Sequence, residues 1–187
     1  MVFKVKNKII QYCPTPKCGC TSTKVMIRKG IEGVIDYEDD IHHKFNTKTF
    51  KVIDADIKFC IVRDPVDRFI SSYTNRICRH EDIDFVGLDE FIEDFYDKYY
   101  RLDENIYHHF RPQVDFIGHD PSYYNRVFFL DEMPSVCELL SEVMGKPIKL
   151  EKLQTVEAEK PIPTEIQIDF IKSFYEDDYK FLEQIKR

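Results

Sequence analysis

Apolar residues along this chain fall into short continuous runs, each followed by a polar break and then by a stretch with helical spacing. The first run, residues 9–13, leads straight into a loop carrying Pro14, Pro16 and Gly19. Ser22, Thr23 and a segment ending at Gly30 follow, which predicts strand, loop and helix in that order. A second unit begins with Ile57-Lys58-Phe59-Cys60-Ile61-Val62, continuous enough for a buried strand, and breaks at Arg63-Asp64-Pro65. Asp64 suits a helix N-cap and Pro65 the first helical position, so a helix is expected through Phe69, Ile70 and Tyr73. Leu88, Phe91, Ile92, Phe95, Tyr99 and Leu102 recur at helical spacing and predict one amphipathic helix with a core face. Residues 126–130 predict another buried strand. Met133, Val136, Leu139, Leu140 and Val143 then mark a helix that Gly145 can end. After a polar stretch broken by Pro147, Pro161 and Pro163, Phe170, Phe174, Phe181, Leu182 and Ile185 predict one or two closing helices. Residues 32–56 show neither period and are expected to form a loop region rich in His, Asp and Lys. Strands alternating with helices favour an α/β fold, a parallel sheet with helices on both faces.

Composition narrows the class. With 187 residues, 43% of them hydrophobic and 14% aromatic, the chain is expected to form a single compact domain over residues 1–187. A formal charge of −7, from 34 acidic and 27 basic residues, argues against a protein that coats nucleic acid or an anionic membrane, so any anion site must be local. No apolar run approaches bilayer length, and lysines interrupt the N-terminal segment too often for a secretory signal; a soluble, cytoplasmic protein is expected. The six cysteines are scattered rather than paired in a dense framework and are read as mostly reduced, with Cys60 and Cys137 as small buried residues.

Two segments carry candidate chemistry. Pro16-Lys17-Cys18-Gly19-Cys20-Thr21-Ser22-Thr23 sits between the first strand and the first helix, where backbone N–H groups and the helix dipole face an incoming anion. Gly19 permits close backbone approach, Thr21, Ser22 and Thr23 offer hydroxyls, and Lys17 a mobile positive charge. In the second segment Arg63 ends a buried strand and Ser71 lies two turns into the next helix, a spacing that lets guanidinium and hydroxyl reach one phosphate. Each segment alone also fits a plainer role, the first as a capped surface turn, the second as an arginine paired with Asp64 or Asp67.

Taken together, the two segments resemble the phosphate-binding motifs of sulfotransferases that use 3′-phosphoadenosine-5′-phosphosulfate (PAPS). Residues 16–22 look like the 5′-phosphosulfate loop. Val62-Arg63-Asp64-Pro65-Val66-Asp67-Arg68-Phe69-Ile70-Ser71-Ser72-Tyr73 looks like the 3′-phosphate motif, in the style of the carbohydrate (family 2-like) sulfotransferases. The resemblance implies a P-loop-like fold. It also implies that Lys17 and the amides of Cys18, Gly19, Cys20, Thr21 and Ser22 bind the 5′-phosphosulfate, and that Arg63 and Ser71 bind the 3′-phosphate. The sulfuryl group would pass in line to an acceptor hydroxyl on a glycan or small molecule, leaving 3′-phosphoadenosine-5′-phosphate (PAP), with Lys17 stabilising the leaving phosphate and no metal required. A base working near neutral pH points to histidine. In the family it precedes the strand leading into the 3′-phosphate motif, as His42 and His43 do here; His43 is preferred. His108-His109-Phe110-Arg111-Pro112-Gln113 is similar to a family segment near the acceptor, which makes His109 and Gln113 candidate substrate contacts and leaves His109 open as the base.

Two other classes compete. An ATP-dependent P-loop phosphotransferase would need two glycines four residues apart followed by Lys-Ser/Thr, whereas here the lysine comes first. A metal or redox module built on Cys18, Cys20, His42 and His43 lacks the paired ligand spacing of zinc sites.

Overall fold

A computed structural model describes residues 1–32, 50–150 and 159–185. These form two compact units, one from Met1–Val62 with Gln113–Gln154, the other from Arg63–Pro112 with Thr155–Arg187. The fold class is α/β: the first unit holds a four-stranded sheet in the order β1 (Val2–Val5), β2 (Lys8–Cys13), β3 (Ile57–Val62), β4 (Arg126–Phe129). β2, β3 and β4 are parallel, with Cys13 beside Cys60 and Val62 beside Phe129. β1 departs from the all-parallel expectation. It pairs antiparallel with β2 through a turn in which Lys6 takes a positive φ of 54°, an edge strand that the short segment of residues 1–7, broken by Lys4 and Lys6, does not announce.

The pleat sorts the strand residues by face. Phe3, Ile10, Tyr12, Phe59, Ile61 and Phe128 share one face with Met26 and Ile27 of α1 (Cys20–Glu32). Further along the chain, helix Met133–Met144 closes this core with Val136, Cys137, Leu140 and Val143, and ends at Gly145 in the left-handed conformation as anticipated. The opposite face turns Gln11 and Cys13 toward Tyr123 and Tyr124: Tyr123 shares a short hydrogen bond with Gln11, and the Tyr124 hydroxyl donates to the Ile117 carbonyl at 2.6 Å. The described end of the region left unassigned in sequence is held here too, because Phe50 packs edge-on against Tyr123 and the Gln11 amide donates to the Lys51 carbonyl. Cys60 and Cys137 are buried as expected, and all six thiols are free.

The second unit is helical. α2 (Pro65–Tyr73) begins where predicted: Asp64 accepts from the amides of Val66 and Asp67, and Pro65 occupies the first turn. It continues into a π-helical turn, Thr74–Arg79. The single helix expected over residues 88–102 is instead α3 (Leu88–Glu93), a break at Asp94 and a second π-helical segment, Phe95–Tyr100. Phe91, Phe95 and Tyr99 stay in the core, but the helical segment ends at Tyr100, so Leu102, predicted to share their face, sits in the following turn and is 76% exposed. Then come α4 (Glu104–Phe110) and, in the sheet-bearing unit, α5 (Val114–Ile117), neither of which the periodicity marked. The helix Met133–Met144 is α6, and the closing pair is α7 (Glu165–Phe174) and α8 (Glu176–Ile185). Phe69, Phe91, Phe95, Phe110, Ile171 and Tyr175 form the core of this unit. Among the described residues no helix is long and apolar enough to cross a membrane.

Candidate active site

β2 ends at Cys13, and the next residues bury their side chains: Thr15 is fully buried, and its carbonyl accepts from the Cys18 amide at 3.3 Å to close a turn. Lys17 and Gly19 then take φ values of 65° and 70° with Cys18 between them on the ordinary side. This alternation of sign makes successive N–H groups converge on one concavity, the geometry of an anion-binding nest. A lysine in the left-handed region is itself unusual, and such conformations concentrate at functional sites. Gly19 is needed for space as well, since a Cβ there would lie 3.1 Å from Leu130 Cδ1 and 3.3 Å from Met133 Sδ.

The loop hands directly to α1. The helix starts at Cys20, and its opening bond is Thr23 N–H to the Gly19 carbonyl at 3.0 Å, reinforced by the Thr23 hydroxyl. The amides of Cys20, Thr21 and Ser22 precede that bond and face out of the helix's positive end, and no acidic residue stands in the first turn to oppose an anion. Cys18 is fully buried, and its thiol donates to the Gln113 Oε1 at 3.3 Å. Gln113, a sequence candidate for the acceptor site, is thus a buried prop of the loop, 1% exposed. Sequence reasoning missed Lys24. One turn into α1 it is buried, and desolvation, partly offset by the nearby Cys20, lowers the pKa of its ammonium. The available signal was a lysine directly preceding the apolar run Val25-Met26-Ile27 on the first helix.

The second motif follows β3. Because β2 and β3 are parallel neighbours, Cys13 and Val62 leave the sheet at the same edge, and Arg63 is the next residue after β3. In the helical unit Arg63 is half-buried ahead of the Asp64 cap, and the Asp64 carboxylate serves the amides of Val66 and Asp67. Ser71 is half-buried on α2, while its neighbour Ser72 is buried and donates to the His109 carbonyl at 3.0 Å. His109 lies near the end of α4, half-buried, with Nδ1 2.9 Å from the Asn105 carbonyl. Arg76 on the π-helical turn is taken up by a two-pronged pair with Asp82, one arm at 2.6 Å. His42 and His43 lie outside the described residues.

The model of the sulfotransferase family matches residues 1–183, nearly the whole chain and both motifs. Among curated proteins and among solved structures no match is found. The parallel strands, the loop at the start of α1 and the arginine after β3 agree with that match. The chain belongs to the sulfotransferase family, whose members are PAPS-dependent transferases acting on hydroxyl acceptors.

Proposed function

We propose that the protein moves the sulfuryl group of PAPS to a hydroxyl on a glycan or small molecule, with the division of labour that its two motifs define. The observation that carries this reading is the loop of residues 17–19: a nest of alternating φ sign, with a lysine in it, running into a helix start that has no acidic residue. Lys17 and the amides of Gly19, Cys20, Thr21 and Ser22 hold the 5′-phosphosulfate, the Cys18 amide, expected among them, instead closing the turn onto the Thr15 carbonyl, and the buried ammonium of Lys24 adds positive potential behind them. Arg63 supplies a charged fork and Ser71 a neutral donor to the 3′-phosphate.

In the transfer the acceptor oxygen bonds to sulfur as the bond from sulfur to the bridging phosphate oxygen breaks, so negative charge grows on the departing 5′-phosphate of PAP. Lys17 and the loop amides stabilise that charge where it forms. The acceptor proton passes to a histidine, His43 in preference to His42, with His109 contacting the acceptor and Gln113 supporting the loop from below. The test is transfer of radiolabelled sulfate from PAPS across a panel of glycans and small alcohols. Wild-type protein is expected to label at least one acceptor, and Lys17→Ala to lose about 100-fold or more of that rate. Labelling by Lys17→Ala at the wild-type rate contradicts the assignment.

A further inference from the structure

The C-terminal end of α4 is held unusually firmly by the helix of the 3′-phosphate motif. An α-helix leaves its last carbonyls without intrahelical donors, and here the problem is sharpened because Pro112 has no N–H to offer. Three consecutive carbonyls find side-chain donors instead. The His109 carbonyl accepts from Arg68 Nη2 at 3.2 Å and from the Ser72 hydroxyl at 3.0 Å, the Phe110 carbonyl from the Tyr175 hydroxyl at 2.5 Å, and the Arg111 carbonyl from Arg68 Nη2 at 2.8 Å. Arg68 is fully buried, and its guanidinium also lies 5.5 Å from the centre of the Tyr175 ring. A cation at the negative end of a helix is favourably placed, and burying it against carbonyls and an aromatic face answers the cost of desolvation.

Arg68 and Ser72 are one turn apart on α2 and flank Ser71, so the same helix that presents Ser71 outward grips α4 inward. The ring of His109 is anchored as well. The Asn105 carbonyl can only accept, so Nδ1 carries the proton and Nε2 of the neutral ring holds the lone pair. That contact spans one helical turn and survives only while α4 stays helical to its end. We propose that Arg68 is a positioning residue for sulfuryl transfer: with Ser72 it fixes the end of α4, holding His109 in the tautomer whose Nε2 accepts a hydrogen bond from a donor group of the acceptor other than the hydroxyl that is sulfated. This rests on the reading of Ser71 as a 3′-phosphate ligand and of His109 as an acceptor contact.

The test reads His109 directly. Long-range proton–nitrogen NMR of the imidazoles, with His109 assigned by its loss in His109→Gln, is compared in wild type, Arg68→Met, Arg68→Lys and Ser72→Ala, alongside titration of each with PAP. In wild type His109 is expected to show a protonated Nδ1 and an unprotonated Nε2. In Arg68→Met the two nitrogens should move toward the averaged pattern of a mobile ring, and in Arg68→Lys, which keeps one donor, partway back. PAP affinity should be unchanged in all of them. An unaltered His109 pattern in Arg68→Met overturns the proposal. So does a large loss of PAP affinity there, which would make Arg68 a donor ligand. If Arg68→Met fails to fold, Ser72→Ala decides: a partial shift of His109 supports the clamp and no shift overturns it. Wild-type protein that binds no PAP would remove the donor-site reading, while the His109 spectra would still judge the clamp.

Discussion

Replacing Gly19 with alanine perturbs the phosphate loop at the one backbone position that both its conformation and its surroundings reserve for glycine. At φ 70° an L-residue sits in the left-handed region, which costs about 1–2 kcal/mol relative to glycine. The new methyl would stand 3.1 Å from Leu130 Cδ1 and 3.3 Å from Met133 Sδ, close enough that both must retreat a few tenths of an ångström. Both are ends of flexible side chains, so they can give, and the steric addition is small beside the backbone cost. The sum is about 1–2 kcal/mol, or roughly 3–6 °C in Tm for a chain of this size. Relief of the same strain rotates the Gly19 peptide and spoils the nest, so PAP affinity should fall together with Tm. Thermal unfolding and PAP titration measure the two effects. Gly87→Ala is the matched control, because nothing lies within 4 Å of its added methyl and its φ is −61°. A Gly19→Ala protein that matches wild type in both Tm and PAP affinity would refute the reasoning.

Asp64→Ala should cost about 1 kcal/mol in denaturant unfolding by uncapping α2, and Asp64→Asn should recover most of it, since asparagine caps nearly as well. Arg76→Ala breaks a partly buried two-pronged pair with Asp82 and should destabilise by about 1–3 kcal/mol, with a double-mutant cycle to Asp82→Ala giving a positive coupling. Alkaline pH should weaken the fold in stages. Burial raises the pKa of Cys60 and Cys13 above the ordinary 9.0 and those of Tyr73 and Tyr179 from 10.0 to about 12. Each such group keeps its proton longer folded than unfolded, so stability is complete below the unfolded value. It falls as pH climbs from about 9 for the thiols, then from about 10 toward 12 for the tyrosines. Denaturant midpoints across pH 7–12 check this, and a flat profile would contradict the burial of these groups.

Much of the local structure around the proposed donor site was legible because its signals are local. Asp64 and Pro65 announce a helix start by capping chemistry alone, and Gly19 announces a tight loop by lacking a side chain. What sequence hid depends on partners distant along the chain. β1 is a strand because β2 pairs with it, not because Val2, Phe3 and Val5 alternate strongly among lysines. Leu102 continues a helical spacing past Tyr100, where the π-helical segment ends, so it lies on a turn and is exposed while Phe95 and Tyr99 stay in the core. Gln113 is a candidate acceptor contact by its place in the motif. Its burial against Cys18 depends on two residues far apart in sequence meeting beneath the loop. Arg68 reads as one more charge in a charged motif, and only the fold reveals that it faces the His109 and Arg111 carbonyls at the end of α4 rather than solvent.

Isothermal titration with PAP, run beside ATP and beside Arg63→Ala, tests the central claim most directly. The account predicts that wild-type protein binds PAP, prefers it to ATP because ATP lacks the 3′-phosphate, and loses roughly 10- to 100-fold of that affinity in Arg63→Ala, the value of charged hydrogen bonds to one phosphate. Equal binding of PAP and ATP, or PAP binding indifferent to Arg63, would contradict it.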